Sequence, residues 1–228
     1  MMPLLRATCA LLIWSLSFSC SVAEDYTVIQ DGRRIDLAAR GAIRTEAIWQ
    51  FQAGAADKIL FVCWENPTPA YAKQMMIVRA AVTASWERNS RLRFLDWGPC
   101  SPSSGGIRIL IEDSGPLVSQ LGRGLDGLQN GMVLNFTFRN WMPACQKGQV
   151  EDWIADTAVH EFGHAIGFTH EHNRDDTPAW CTTIAAPQGT NPNEYLTPWD
   201  RQSEMNYCCC DGDAVLSALD IAAVKHLY

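Results

Sequence analysis

The segment His160-Glu161-Phe162-Gly163-His164-Ala165-Ile166-Gly167-Phe168-Thr169-His170-Glu171 restricts this chain more than any other. Residues four apart share one face of a helix, so His160 and His164 aim ring nitrogens at a single point, with Glu161 one step round that face. A third ligand from the next turn of the same straight helix would crowd the first two. Gly167 tolerates positive φ at a helix end, which lets the backbone turn and deliver His170 from another direction. Three neutral imidazoles on Zn²⁺ leave a fourth position for water, the arrangement of a catalytic rather than a closed structural site. A bare His-Glu-x-x-His arises by accident in many helices. The added Gly167 and His170 in register, and the acidic Glu151, Asp152 and Asp156 early in the segment, raise the specificity of this one.

A second element follows downstream. Ser203-Glu204-Met205-Asn206-Tyr207 resembles the methionine turn beneath the zinc of metzincin peptidases, and the extended histidine motif followed by a later methionine is that clan's pattern. Within the clan, Glu171 after the third histidine, Tyr207 two past the methionine, and the continuation Asn173-Arg174-Asp175 resemble the astacin family. The C-terminal Leu216-Ser217-Ala218-Leu219-Asp220-Ile221 to Leu227-Tyr228 resembles the closing helix of the astacin catalytic domain, so the similarity spans roughly residues 59–228. The resemblance implies a metzincin-like fold and a zinc endopeptidase. It also implies that Met205 forms an apolar floor, that Tyr207 is a fifth ligand which swings away when substrate binds, and that Glu171 is a buried carboxylate paired with the mature amino terminus. Two departures stand out: Glu204 replaces a small apolar residue and Asn206 replaces the usual histidine. No Phe-x-Gly-Asp plug occurs between Glu24 and Gln50.

The 228 residues fit one catalytic domain behind a leader. Met1 to Arg6 gives a positive start, Cys9 to Phe18 an apolar stretch too short to span a bilayer, and Ser21-Val22-Ala23 a small-residue cleavage site. The expected organisation is therefore a signal peptide over 1–23, an N-terminal segment or short prosegment over 24–50, and an astacin-like domain over 51–228. Secretion, extracellular or periplasmic, follows from the leader. The formal net charge of −7, with Lys and Arg scattered, excludes a nucleic-acid partner, and no later apolar run is long enough for a membrane span. Protein or peptide substrates and a monomer are the expectation.

The fold class reads as α+β, with a mixed twisted sheet, two long helices in the N-terminal half and a mostly irregular C-terminal half ending in a helix. Ile59–Trp64, Arg93–Leu95, Ile107–Ile111 and Gly131–Phe138 read as strands. Tyr71–Arg88 and about Glu151–Gly167 read as helices. Residues 99–106 and 175–198 read as loops, and Ser217 with Asp220 as a capping-box-like helix start. Asn135-Phe136-Thr137 matches a glycosylation acceptor, but its mid-strand position argues against use. His172 reads as a surface imidazole and His226 as a helix residue.

Of nine cysteines, Cys9 and Cys20 fall in the leader, leaving seven, a number that fits export and leaves at least one thiol unpaired within the monomer. Because thiolate is a strong zinc ligand, Cys63 is a candidate for capping the metal in a latent form, with an ordinary bridge the commoner fate and Asp31 the alternative plug.

The site residues predict the chemistry. Zn²⁺ on His160, His164 and His170 activates water, Glu161 acts as general base and then passes the proton to the leaving amine, and Tyr207 donates to the oxyanion. Two other readings compete. One is a zinc-stabilised binding or inhibitor protein without turnover, which would not need Glu161. The other is a metal hydrolase of another family, with Glu194 or Glu204 as ligand in place of His170.

Overall fold

A computed structural model of the chain describes residues 27–30, 33–36, 41–142, 149–208 and 213–228. The leader, Asp31, Cys145, Cys209 and Cys210 lie outside the described residues. The chain divides into two units, Met1–Asp36 and Leu37–Tyr228. In the first, strands β1 (Thr27–Gln30) and β2 (Arg33–Asp36) pair antiparallel. The second runs β3 (Gly41–Ile43), β4 (Lys58–Trp64), α1 (Ala72–Val82), β5 (Leu92–Pro99), β6 (Ile107–Ile111), β7 (Leu117–Val118), β8 (Met132–Leu134), α2 (Val150–Ala165), α3 (Ala179–Ile184), β9 (Glu194–Leu196) and α4 (Ala218–Leu227). No helix among the described residues is long and apolar enough to cross a membrane.

The architecture is the expected α+β with a mixed sheet. Five strands lie in the order β5-β4-β6-β8-β7, all parallel to their neighbours except β7, which runs antiparallel to β8. Strand alternation puts Leu60 and Val62 of β4 inward while Ile59 and Phe61 face out. Against the inner face pack α1 and α2. Helix α1 follows a start in which the Thr68 hydroxyl accepts from Ala70 N at 3.0 Å beside Pro69, a residue whose fixed φ suits a first turn. Val78 and Val82, four apart, form its buried stripe. A single π-type turn, Thr83–Glu87, continues it and carries Trp86 into the core. There the Trp86 ring stacks on Phe168 at 5.4 Å and its Nε1 donates to Val159 O at 2.8 Å, joining α1 to α2.

Two local details differ from the sequence expectation. The strand over 131–138 stops at Leu134, because Asn135 Oδ1 accepts from Thr137 N at 2.9 Å and Phe138 N at 2.8 Å, and Phe138 has φ +50°. Asn135 thus bends the chain with its own side chain. Its Nδ2 donates to Asp113 and Ser114 in a buried position, which withholds it from glycosylation for a reason other than strand pairing. The stretch 175–198 is not all loop: it contains α3 and β9. Strand β9 pairs antiparallel with β3, a partner about 150 residues away that no local pattern announces. Residues 41–50 pack within the second unit, Trp49 Nε1 donating to Ala165 O at 2.8 Å at the C-terminal end of α2.

Two disulfides join described cysteines, Cys63–Cys100 and Cys181–Cys208. The first corrects the idea of Cys63 as a metal cap, since its sulfur is bonded to the cysteine that follows the neighbouring strand β5. The Ser217–Asp220 capping box at α4 is present as read.

Candidate metal centre

Helix α2 presents His160 and His164 on one face, and Gly167 at φ +102° ends it so that the chain turns back towards the same point. A Cβ at Gly167 would also press on the tip of Ile48, but it is the φ that calls for glycine there. The turn brings His170 opposite the helix. Its Nε2 lies 3.3 Å from His160 Nε2 and 3.1 Å from His164 Nε2. Tetrahedral coordination at about 2.0–2.1 Å puts ligand nitrogens about 3.3–3.4 Å apart, close to these two separations. Among the described residues this is the one group of three or more potential ligands so disposed.

The far side of each ring fixes which nitrogen faces the centre. Nδ1 of His160 donates to Glu204 O at 2.7 Å, that of His164 to Phe168 O at 2.9 Å, and that of His170 to Gln188 O at 3.0 Å. A carbonyl only accepts, so each Nδ1 carries the proton and each Nε2 offers a lone pair to the centre. Charge agrees with this. Burial, with the His170 ring next, pushes His160 down to about 3, and burial also holds His164 and His170 below the ordinary histidine value. Three neutral, converging imidazoles suit a borderline divalent metal such as zinc.

Glu161 is 4% exposed, and its Oε2 has no hydrogen-bond partner among the described residues. Burial pushes this carboxyl up to about 8. Tyr207 stacks on His160 at 5.1 Å and its hydroxyl lies 3.1 Å from His160 Nε2. Met205 is buried under the helix against Gly163. Cavities of about 740 Å³ and 790 Å³ flank the three histidines, and Glu161 and Tyr207 line both.

One neighbour differs from expectation. His172, expected on the surface, is fully buried and sandwiched between the rings of His170 at 4.8 Å and Tyr207 at 4.9 Å. The short 3-10 turn Glu171–Asn173 directs it inward, a reversal invisible in composition. Glu171 is buried, with Arg174 Nη1 3.2 Å from its Oε1 and Asp200 N donating to the same oxygen at 2.9 Å. His226 lies on α4 as read. The alternative ligand Glu194 sits on β9, and neither it nor Glu204 joins the histidine group.

Residues 70–188 match the family model of the astacin peptidases. That match includes all three histidines and Glu161 and ends before Met205 and Tyr207. No curated protein matches the sequence. Among solved structures, myroilysin is similar over 82% of this chain and 98% of that one, at 19% identity and a TM-score of 0.59, which shows a shared fold. High choriolytic enzyme 1, a hatching enzyme zinc-protease from the medaka fish Oryzias latipes, aligns over 80% of this chain and 94% of that one at 18% identity and a TM-score of 0.48. With the family match covering more than half of its length, the chain belongs to the astacin family of metalloendopeptidases.

Proposed function

We propose that the protein is an exported zinc endopeptidase in which His160, His164 and His170 hold the metal, Glu161 is the general base and Tyr207 the oxyanion donor. The observation that carries this is the convergence of three histidine ring nitrogens, His170 Nε2 lying 3.3 Å from that of His160 and 3.1 Å from that of His164, beside a buried carboxylate oxygen with no partner of its own among the described residues. Zinc bound there would acidify a water molecule and polarise the scissile carbonyl. The protein's own groups do the rest. Glu161 takes the water proton as the new C–O bond forms and gives it to the amine as the C–N bond breaks, so no net proton is gained or lost. Its high affinity for a proton at rest suits the second half of that cycle, and the positive charge of a bound metal draws it back towards ionisation for the first. Tyr207, more than a third exposed, has room to rotate its hydroxyl from His160 Nε2 towards the developing oxyanion.

Export is supported by the leader-like residues 1–23 and by two disulfides, bonds that persist in oxidising compartments. One sample tests the whole reading: metal content by mass spectrometry and cleavage of a denatured protein, before and after chelation and re-addition of zinc. One zinc per chain with cleavage that follows it supports the proposal. Cleavage that survives complete zinc removal, or zinc without cleavage in the mature protein, rejects it.

A further inference from the structure

The cavity of about 790 Å³ beside the histidines has an uneven chemistry. Asp156, Glu204 and Asp213 line it together with Trp141, Trp153 and Leu216, and no lysine or arginine is among its described lining residues. None of the three carboxylates takes part in an ion pair among the described residues. Among the described residues Asp156 accepts a long backbone bond from Ala214 N at 3.4 Å, and Asp213 one from Val215 N at 3.1 Å. The other branch of the cleft differs, being lined by Arg44 and Arg123 with Glu46.

The acidic residues arrive from separate elements. Asp156 is one turn before His160 on α2, Glu204 belongs to the methionine turn where the family pattern has a small apolar residue, and Asp213 precedes α4. Glu204 is fixed at its backbone, its carbonyl accepting from His160 and its N–H donating to Asp220 at 2.9 Å. The same cavity is lined by Glu161, buried and with Oε2 unpartnered among the described residues, so it opens directly on the reacting position and a substrate side chain entering it would flank the cut bond. The walls suit a long amphipathic cation. Indole faces attract guanidinium and ammonium groups, apolar surface accepts the methylene stem, and carboxylates take the charged end.

We infer that this cavity is a specificity pocket for a lysine or arginine side chain, so that the enzyme cuts proteins beside basic residues. This rests on the endopeptidase reading and names its substrate class. An acidic side chain would meet a cluster of acidic groups with no cation among the described lining residues and be rejected, while a neutral one would leave the cluster without a counter-charge.

The test is cleavage-site mapping by mass spectrometry of a denatured protein mixture, using the active wild-type protein and Asp156→Asn/Asp213→Asn, with Asp213→Asn alone as the milder variant. Wild type should show Lys and Arg enriched roughly tenfold over background at one position next to the cut bond, with Asp and Glu depleted there. Both variants should lower that enrichment, the double one further, and the selectivity ratio between matched Arg and Leu peptides should fall with it. A flat or apolar preference at every position in wild type overturns the pocket assignment while leaving the peptidase reading intact. So does basic preference unchanged in the double variant. Absence of any zinc-dependent cleavage overturns both.

Discussion

Met205 packs directly against Gly163: a Cβ placed on that glycine would overlap the Met205 sulfur and also come 3.1 Å from the Trp86 ring. Gly163 lies between the two histidines of α2, so the helix face that carries them rests on Met205 because one residue has no side chain. Gly163→Ala is therefore an overpacking change, expected to destabilise by about 1–3 kcal/mol although alanine is the better helix former. For a domain of this size that is a fall in Tm of roughly 2–12 °C. Calorimetry of the variant, with zinc retention measured alongside, checks it; an unchanged Tm would show that the methionine yields freely.

Glu161→Gln separates metal binding from proton transfer. The amide keeps the shape but neither takes nor returns a proton, so zinc content should stay near one per chain while kcat/KM falls by several orders of magnitude. His164→Ala should lose both zinc and activity.

Tyr207→Phe removes a single hydroxyl from a ring held by stacking on His160 and His172. Turnover should drop roughly a hundredfold or more, the scale of losing one oxyanion donor, with KM little changed. Equal turnover in the two proteins would remove Tyr207 from the chemistry.

The chelated protein should become less stable in acid. Burial depresses His160 to about 3 and His172 to about 4, against 6.5 for an exposed histidine, so between these values the unfolded chain binds more protons than the folded one. The stabilisation is complete above about pH 6.5 and is lost as pH falls through 4 and then 3. Buried carboxyls have the opposite sign: burial raises Asp220 to about 6, Glu161 and Glu171 to about 8 and Glu204 to about 10, and their contribution, complete below about pH 4, declines as pH rises towards these values, so the histidine loss stands alone only below about pH 4. Thermal melts of metal-free protein from pH 3 to 8 should show the histidine loss at the acid end. A Tm that rises steadily down to pH 3 would contradict it.

Cys63→Ala/Cys100→Ala opens a bridge separated by 37 residues in sequence. Loop-closure entropy puts the loss at about 4 kcal/mol at most, with 2–4 typical. The active variant should nonetheless bind zinc and cleave like wild type at a temperature where it stays folded, since neither sulfur is a ligand. Chemical denaturation together with zinc-dependent activity distinguishes the two roles.

The local pattern determined a good deal by itself. A helix carries its side chains at a fixed 3.6-residue period, so His160 and His164 had to share a face with Glu161 beside them, and Gly167 had to be where the helix could end and turn. The same periodicities placed β4, β6, α1 and α2, because each buries a stripe whose spacing is written in consecutive residues. What depends on chain meeting chain was decided only by the tertiary structure. The Nδ1 partners of the three ligands are backbone carbonyls of Phe168, Gln188 and Glu204, and every residue type has a carbonyl, so no side-chain code marks them. Strand β9 finds β3 across most of the chain, and two short segments with distant partners have no period to read. His172 turns inward and Glu171 closes on Arg174 because a single 3-10 turn sets their directions, and the gathering of Asp156, Glu204 and Asp213 round one cavity exists only once α2, the methionine turn and the approach to α4 have packed together.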